Sequence, residues 1–385
     1  MKIIVVSHTY LSAINQAKYV AMKRLEPKIE VILVVPESCS DMFGSYKPER
    51  NQDIKLKEMA VLRSYLNKFI LFRFLNPFQL IALLKTFKPD VVYIEEDPHS
   101  AIGIETIVLA KLAYPKAKIS FFIWDNIART PTFPVNLVKK ALTRFSLANC
   151  QLVICGNKEG RDLLLSVKKY NGLSYVIPQL GLEPADFEGP LMPEVVEKLK
   201  RPSETVLLGF LGRLTLEKGV LLLLETLSKL INYNWKLLIV GNGPLKDEIR
   251  TKWNNVFGER LIVLDGVSRV LYRQYLKGLD VLVVPSYGTP FWKEQFGYNI
   301  AEAMITGVPC IGSSSGAIPE VMGPGGLVFP EREVEGLAEA LKKMIENKSL
   351  REELGRKARA FSLDNYTNDV IARRHLDAFK TALNS

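Results

Sequence analysis

Val206-Leu-Leu-Gly-Phe-Leu211, then Gly212-Arg213-Leu214-Thr215-Leu216-Glu217-Lys218-Gly219, then a strongly apolar segment from Val220: this run decides the fold. An unbroken apolar stretch of strand length marks a strand buried on both faces, as in parallel sheets. The polar turn and the helical segment after it complete a βα unit. The rhythm repeats in Lys236-Leu-Leu-Ile-Val240, Leu261-Ile-Val-Leu264, Val281-Leu-Val-Val284 and Pro309-Cys-Ile-Gly312. It is present earlier too, in Lys2-Ile-Ile-Val-Val-Ser7, a helical stretch near 13 to 25, Val31-Ile-Leu-Val-Val35, Val91-Val-Tyr-Ile94, Ile119-Ser-Phe-Phe-Ile123 and Leu152-Val-Ile-Cys155. Between the two series, residues 178 to 193 carry Pro178, Gly181, Pro184, Gly189, Pro190 and Pro193, which support neither helix nor strand and mark a linker.

The expected architecture is therefore two doubly wound parallel-sheet α/β domains, residues 1–180 and 181–366. In such sheets ligands bind beyond the carboxyl ends of the strands, which places the expected site in a cleft between the domains. The last segment, 367–385, reads as a helix from about 367 to 383 and is a candidate to cross back to the first domain.

Charged residues make up 24% of the chain and nearly half of it is apolar, the composition of a globular protein rather than a disordered one. The apolar run at Ile3 to Val6 is too short for a signal-peptide core or a membrane span, so a cytoplasmic protein is expected. Cys39, Cys150, Cys155 and Cys310 have no CxxC spacing, and all four read as reduced packing residues; no metal site is expected. The formal charge of +10 implies anionic partners. Much of the excess lies in residues 55 to 88, where Lys55, Lys57, Arg63, Lys68, Arg73, Lys85 and Lys88 face one acid, Glu58. Leu62, Tyr65, Leu66 and Phe69 within it are readable as one face of a basic membrane-surface helix, so an anionic membrane is a candidate partner. Arg73 falls on that same face, which leaves a core helix or a groove for an anionic acceptor as alternatives. The excess is not interleaved with a nucleic-acid recognition module, and no nucleic acid is expected as partner.

Three stretches carry chemistry. Arg213 and Lys218, at a strand-to-helix turn, can converge on one polyanion with the help of the helix N-terminus, and a diphosphate is the obvious ligand; a solvated turn with a Glu217 contact is the alternative. The turn Val240-Gly-Asn-Gly-Pro244 permits close backbone approach but occurs wherever strand meets helix. The chain lacks both GxGxxG and a GKS/T loop, which argues against a dinucleotide enzyme or an ATPase. In Glu294-Gln-Phe-Gly-Tyr-Asn-Ile-Ala-Glu302-Ala-Met-Ile-Thr-Gly-Val-Pro309, Gly297 is placed near a helix start. Glu294 then lies in the loop and Glu302 about a turn and a half inside the helix, at different depths of one pocket. The backbone N–H groups of Phe296, Gly297 and Tyr298 would lie at the helix N-terminus, suited to phosphate oxygens.

The order of Gly212-Arg213, Lys218-Gly219, Val240-Gly-Asn-Gly-Pro244, Val284-Pro-Ser286, Glu294-x7-Glu302, Gly307-Val-Pro309, Gly316-Ala-Ile-Pro-Glu320 and Gly325-Gly-Leu-Val-Phe-Pro330 resembles family-4 retaining glycosyltransferases of the GT-B fold. The likeness is dense from about 206 to 330. Over 1 to 180 it is looser and rests on the βα order with Ser7-His-Thr9, Glu95-Glu-Asp-Pro-His-Ser100 and Trp124-Asp-Asn126 at strand ends. It implies two Rossmann-like domains and transfer of a sugar from a UDP- or GDP-sugar to a glycan or lipid-linked acceptor, with no cofactor required. Arg213 and Lys218 would bind the diphosphate and offset its charge as it leaves. Glu294 would hold the transferred sugar, Glu302 the ribose hydroxyls, and Gly212, Gly243, Gln295, Phe296, Gly297, Tyr298 and Asn299 would complete the donor site. Retention would follow front-face attack in which a donor phosphate oxygen takes the acceptor proton, unlike the paired carboxylates of retaining hydrolases.

Two departures stand out. Thr9-Tyr-Leu-Ser-Ala-Ile14 has no glycine where many members have a glycine-rich loop, and Trp124-Asp125 stands where many carry histidine. His8, His99 and Asp125 are the candidates on the acceptor side; His375, in the last helix, reads as surface. The rival readings are a GT-B-fold sugar-nucleotide 2-epimerase and a catalytically silent nucleotide-sugar-binding subunit.

Overall fold

A computed structural model describes residues 1–41, 44–53, 58–66, 72–128, 135–166 and 168–385. The chain divides into two compact units, one made of Met1–Gly181 with Asn368–Ser385 and the other of Leu182–Thr367.

The first unit is built on strands β1 (Lys2–Val6), β2 (Glu30–Pro36), β3 (Met59–Leu62), β4 (Val91–Ile94), β5 (Lys118–Ile123), β6 (Leu152–Cys155) and β7 (Leu173–Val176). They form one parallel sheet in the order β7-β6-β5-β4-β1-β2-β3, with Val6 registered against Val34 on one side and Ile94 on the other. Helices α1 (Ala17–Leu25), α2 (Pro77–Phe87), α3 (Ala101–Ala113), α4 (Val135–Ala148) and α5 (Lys158–Ser166) alternate with them. Asn76 starts α2 by accepting from the Gln79 amide, with Pro77 at the first helical position, where its missing N–H is no loss. Ser100 caps α3 in the same way through Gly103.

Alternate residues of β1 go to opposite faces, so Ile3 and Val5 join one core and Ile4 and Val6 another. Residues of α2, α3 and α4 cover the second face. The first is covered by α1 and by the chain's last helix, which packs against α1 and buries Ile371, Ala372, Leu376 and Phe379.

Four expectations need correction here. His375 is not on the surface: it is fully buried beside Tyr93 and Phe379, with Nδ1 bonded to the Ile371 carbonyl at 2.9 Å. Burial, with the Lys18 charge, holds it well below its ordinary value, so it is neutral in the fold. The segment from Leu62 to Leu66 is not helical. Leu62 ends β3, and Ser64–Tyr65 forms a two-residue ladder with Phe74–Leu75, so Leu62, Tyr65 and Leu66 do not share a helical face; Phe69 lies outside the described residues, as do Lys55, Lys57 and Lys68. Arg73 is 1% exposed, its Nη2 donating to Cys39 Sγ at 2.7 Å, and so is no part of a solvated basic surface. The span 178–193 also holds a short 3-10 turn, Pro184–Phe187, which the proline spacing had hidden.

The second unit repeats the plan with β8 (Val206–Leu211), β9 (Trp235–Val240), β10 (Leu261–Leu264), β11 (Val281–Val284), β12 (Cys310–Ser313) and β13 (Gly326–Phe329), all parallel in the order β10-β9-β8-β11-β12-β13. Its main helices are α6 (Val220–Lys229), α7 (Arg269–Lys277), α8 (Tyr298–Ile305), α9 (Val334–Glu346) and α10 (Lys348–Tyr366); the last helix of the chain, α11 (Asn368–Asn384), belongs to the first unit. Strands β8 to β10 progress one way from the centre and β11 to β13 the other. The order therefore reverses between β8 and β11, and the crevice beyond their carboxyl ends is where such sheets take ligands. All four cysteines are free and buried.

Candidate donor site

The reversal point holds a cavity of about 230 Å³ lined by Leu211, Gly212, Arg213 and Lys218 from the end of β8, Val284 and Ser286 from the end of β11, and Glu294, Gly297, Tyr298 and Asn299 from the entry to α8. Seven residues singled out in the sequence thus meet in one place: Gly212, Arg213, Lys218, Glu294, Gly297, Tyr298 and Asn299. Lys218 Nζ lies 2.6 Å from Glu294 Oε2 and 4.6 Å above the Trp292 ring, which fixes the ammonium between a carboxylate and an aromatic face. Arg213 is half-exposed, 3.8 Å from Glu217. The Thr215 hydroxyl donates to Glu217 at 2.7 Å, and this bond with the two cations holds that carboxyl below the usual range despite its partial burial.

Two turns fix these side chains. Gly219 has φ of 74°, and a Cβ there would fall 2.0 Å from the Pro285 carbonyl oxygen, so the β8 and β11 loops touch only because the residue is glycine. The β9 turn lies equally close: Leu214 N donates to Asn242 O at 2.9 Å, and a Cβ on Gly243 would meet the Leu214 oxygen at 2.4 Å. Gly243 is thus a scaffold under the cationic turn and does not line the cavity. Asn299 Nδ2 donates to Leu211 O at 3.1 Å, tying the start of α8 to the end of β8.

Gly297 caps α8 in the left-handed region, with φ of 80°. Phe296 is buried against Tyr298 and Tyr366, so its side chain serves the core. Gln295 and Phe296 are outside the cavity lining. So is Glu302, which sits in the second turn of α8, 3% exposed, with Oε1 accepting from Arg269 Nη2 at 2.8 Å. Burial raises its carboxyl above the usual range, opposed by the Arg269 and Arg273 charges.

Sequence reasoning passed over several residues. Arg269 opens α7, 33 residues from Glu302. Tyr272, a turn further on, lines the cavity, and burial followed by the Glu302 charge pushes its phenol up. Ser286 is 1% exposed, and its hydroxyl has no hydrogen-bond partner among the described residues in a cavity where a ligand would supply one. Gly316, φ 53°, brings the 315–317 turn against Glu294: the Ala317 amide donates to Glu294 O at 3.0 Å, and a Cβ at Gly316 would lie 2.3 Å from that oxygen. The Gly-Ala-Ile-Pro-Glu stretch was visible in the sequence, but not what it supports.

In the first unit the acceptor-side candidates also lie at strand ends. His8, just past β1, places Nδ1 2.7 Å from Glu96 Oε1, and the Glu96 charge holds the imidazole above its ordinary value against burial. His99 is pushed down by burial, and Asp125 sits 3.4 Å from Lys168. The neighbouring Glu95 is buried within a polar knot. It accepts from Lys18 at 2.9 Å, Tyr19 at 2.5 Å, Tyr10 at 2.6 Å and Gln179 at 2.7 Å, so both of its oxygens are satisfied away from water.

Two parallel α/β sheets, one with an anion-suited cavity at its reversal point, define the GT-B fold. A solved glycosyltransferase from Rickettsia africae superposes with a TM-score of 0.75 at 19% identity, covering 100% of this chain and 99% of that one. The Anabaena protein HepE, solved in complex with UDP, gives 0.70 at 14% identity over 99% of each chain. More narrowly, residues 192–361 match the family described as glycosyl transferases group 1. An uncharacterized glycosyltransferase of Methanocaldococcus jannaschii, MJ1607, is 26% identical over 212 residues, 53% of each chain. This chain spans about half the length of the curated relatives it matches. Over residues 192–361 and in these relatives, then, the chain is similar to glycosyltransferases, and the fold is GT-B.

Proposed function

We propose that the protein is a retaining glycosyltransferase that moves a sugar from a nucleoside-diphosphate sugar to a glycan or lipid-linked acceptor. The observation that carries this reading is the meeting of Arg213, Lys218 and Glu294, from two separate loops, on one cavity beside the start of α8. Cations aimed at a leaving diphosphate stabilise the transition state more than the ground state, because charge grows on that group as the glycosidic bond breaks. Lys218 and Arg213 take this role, Glu294 orients the sugar, and the Ser286 hydroxyl and the Tyr298 amide meet phosphate oxygens. The HepE structure contains UDP, which supports a uridine or related nucleotide as donor base. Glu302, buried just outside the cavity lining, would reach the ribose with its second oxygen once a donor is bound, while Arg269 holds the first. The attacking hydroxyl gives its proton to a donor phosphate oxygen, and His8, His99 and Asp125 orient the acceptor.

The test is incubation with labelled UDP- and GDP-sugars, followed by calorimetry with the bare diphosphates. Transfer or slow hydrolysis with retained anomeric configuration supports the proposal. Epimer formation would identify a 2-epimerase, and binding without turnover a silent subunit. Glu302→Ala is expected to weaken diphosphate binding, whereas Glu294→Gln leaves it nearly unchanged and lowers turnover. The opposite pattern in two folded variants removes these role assignments.

A further inference from the structure

Helix α4 turns the wrong side to water. Ser146 and Leu147 face inward, with Ser146 Oγ donating to the Pro98 carbonyl at 2.5 Å. Leu137, Val138 and Phe145 are 58%, 61% and 39% exposed, and Ala141 and Ala148 are exposed with them. At 3.6 residues per turn these five positions fall within about 100° of arc, one continuous apolar stripe. Lys140 and Arg144, both exposed, border it. Neither α4 nor α2 contains an acidic residue. The adjacent α3 adds Leu112, 73% exposed.

We propose that this face of α4 docks on an anionic lipid surface, with Leu137, Val138 and Phe145 entering the headgroup boundary and Lys140 and Arg144 meeting lipid phosphates. An apolar stripe edged by cations fits that boundary, since the side chains leave water while the charges stay at the headgroups. A second copy of the chain is a poorer occupant. A two-fold contact through this helix would set Lys140 and Arg144 against their equivalents, with no acid in the helix to answer them. The inference does not depend on the donor chemistry, and it moves the membrane contact expected at residues 55 to 88 to a different helix. Among the described residues no helix is long and apolar enough to cross a membrane, so the contact is peripheral.

The experiment is flotation of the full chain with vesicles of phosphatidylcholine alone and of phosphatidylcholine with phosphatidylglycerol, at low and high salt. Wild type is expected to float with the anionic vesicles at low salt and much less with the neutral ones. Lys140→Gln/Arg144→Gln lowers anionic partition by about fivefold per cation. Leu137→Ser/Phe145→Ser lowers it by more than about tenfold, because two apolar side chains no longer leave water. The charge variant keeps the wild-type melting curve, since Lys140 and Arg144 are exposed, and the serine variant stays folded with a modest loss from the partly buried Phe145 ring. Absence of flotation by wild type, equal binding to neutral vesicles, or flotation retained by both variants overturns the proposal. So does a concentration-dependent dimer that the serine variant abolishes.

Discussion

Replacing Lys218 by Met keeps the length of the side chain and deletes its charge, leaving Glu294 without its cation at 2.6 Å. Two unit charges 2.6 Å apart at an effective dielectric of about 20 interact by about 6 kcal/mol, which sets the ceiling. The side chains retain 19% and 11% of their exposure, so the pair lies between two regimes. Exposed pairs couple by about 0.2–1 kcal/mol, and breaking a buried one costs about 3–5 kcal/mol. Nearer the buried limit, Lys218→Met is expected to cost about 2 kcal/mol of stability. Glu294→Gln should cost less, about 1 kcal/mol, because the amide oxygen still accepts from Lys218 and the Trp292 face still holds the ammonium. The double variant should lose about as much as Lys218→Met alone, a coupling of about 1 kcal/mol. Urea denaturation followed by tryptophan fluorescence reads this unit well, since Trp235, Trp253 and Trp292 all belong to it. Additive losses within about 0.5 kcal/mol would refute an energetically significant pair. Turnover separates structure from chemistry: the double variant should remain down by about 2–4 kcal/mol in barrier, because the cation for the leaving group is still missing.

Trp292 should act on turnover through Lys218. Trp292→Ala lowers kcat about tenfold and Trp292→Phe restores most of it, because any aromatic face holds the ammonium; equal loss in both points to a different role for the indole. A second expectation concerns pH. Burial raises Glu105 to about 7 in the fold from its ordinary 4.5, with the Leu75 amide opposing the shift. Between those values the folded chain holds a proton that the unfolded chain has lost, so this residue's contribution is fully present below about 4.5 and declines as pH rises through about 7. Melting curves of Glu105→Gln across that window should fall less steeply with pH than wild type, and parallel curves would show that Glu105 ionises normally.

The sequence by itself determined the layers and most of the residues that meet at the β8–β11 cavity. Both depend on short-range pattern: an apolar run of strand length can only be buried on two faces, and the turns that carry Arg213, Lys218 and Gly297 adjoin the strands and helix they serve. Tertiary structure decided the partners. Nothing near Lys18 in the chain announces Glu95, 77 residues away, and nothing near His375 announces Tyr93, so a histidine in a terminal helix reads as surface until the fold buries it. Likewise Arg269 meets Glu302, Gly316 supports Glu294 and Trp292 covers Lys218 only once separate loops converge at the β8–β11 reversal. The helix α4 shows the limit most directly. Its periodicity gives an apolar stripe, but periodicity measures only the angle between side chains, and which side meets the sheet is fixed by long-range packing.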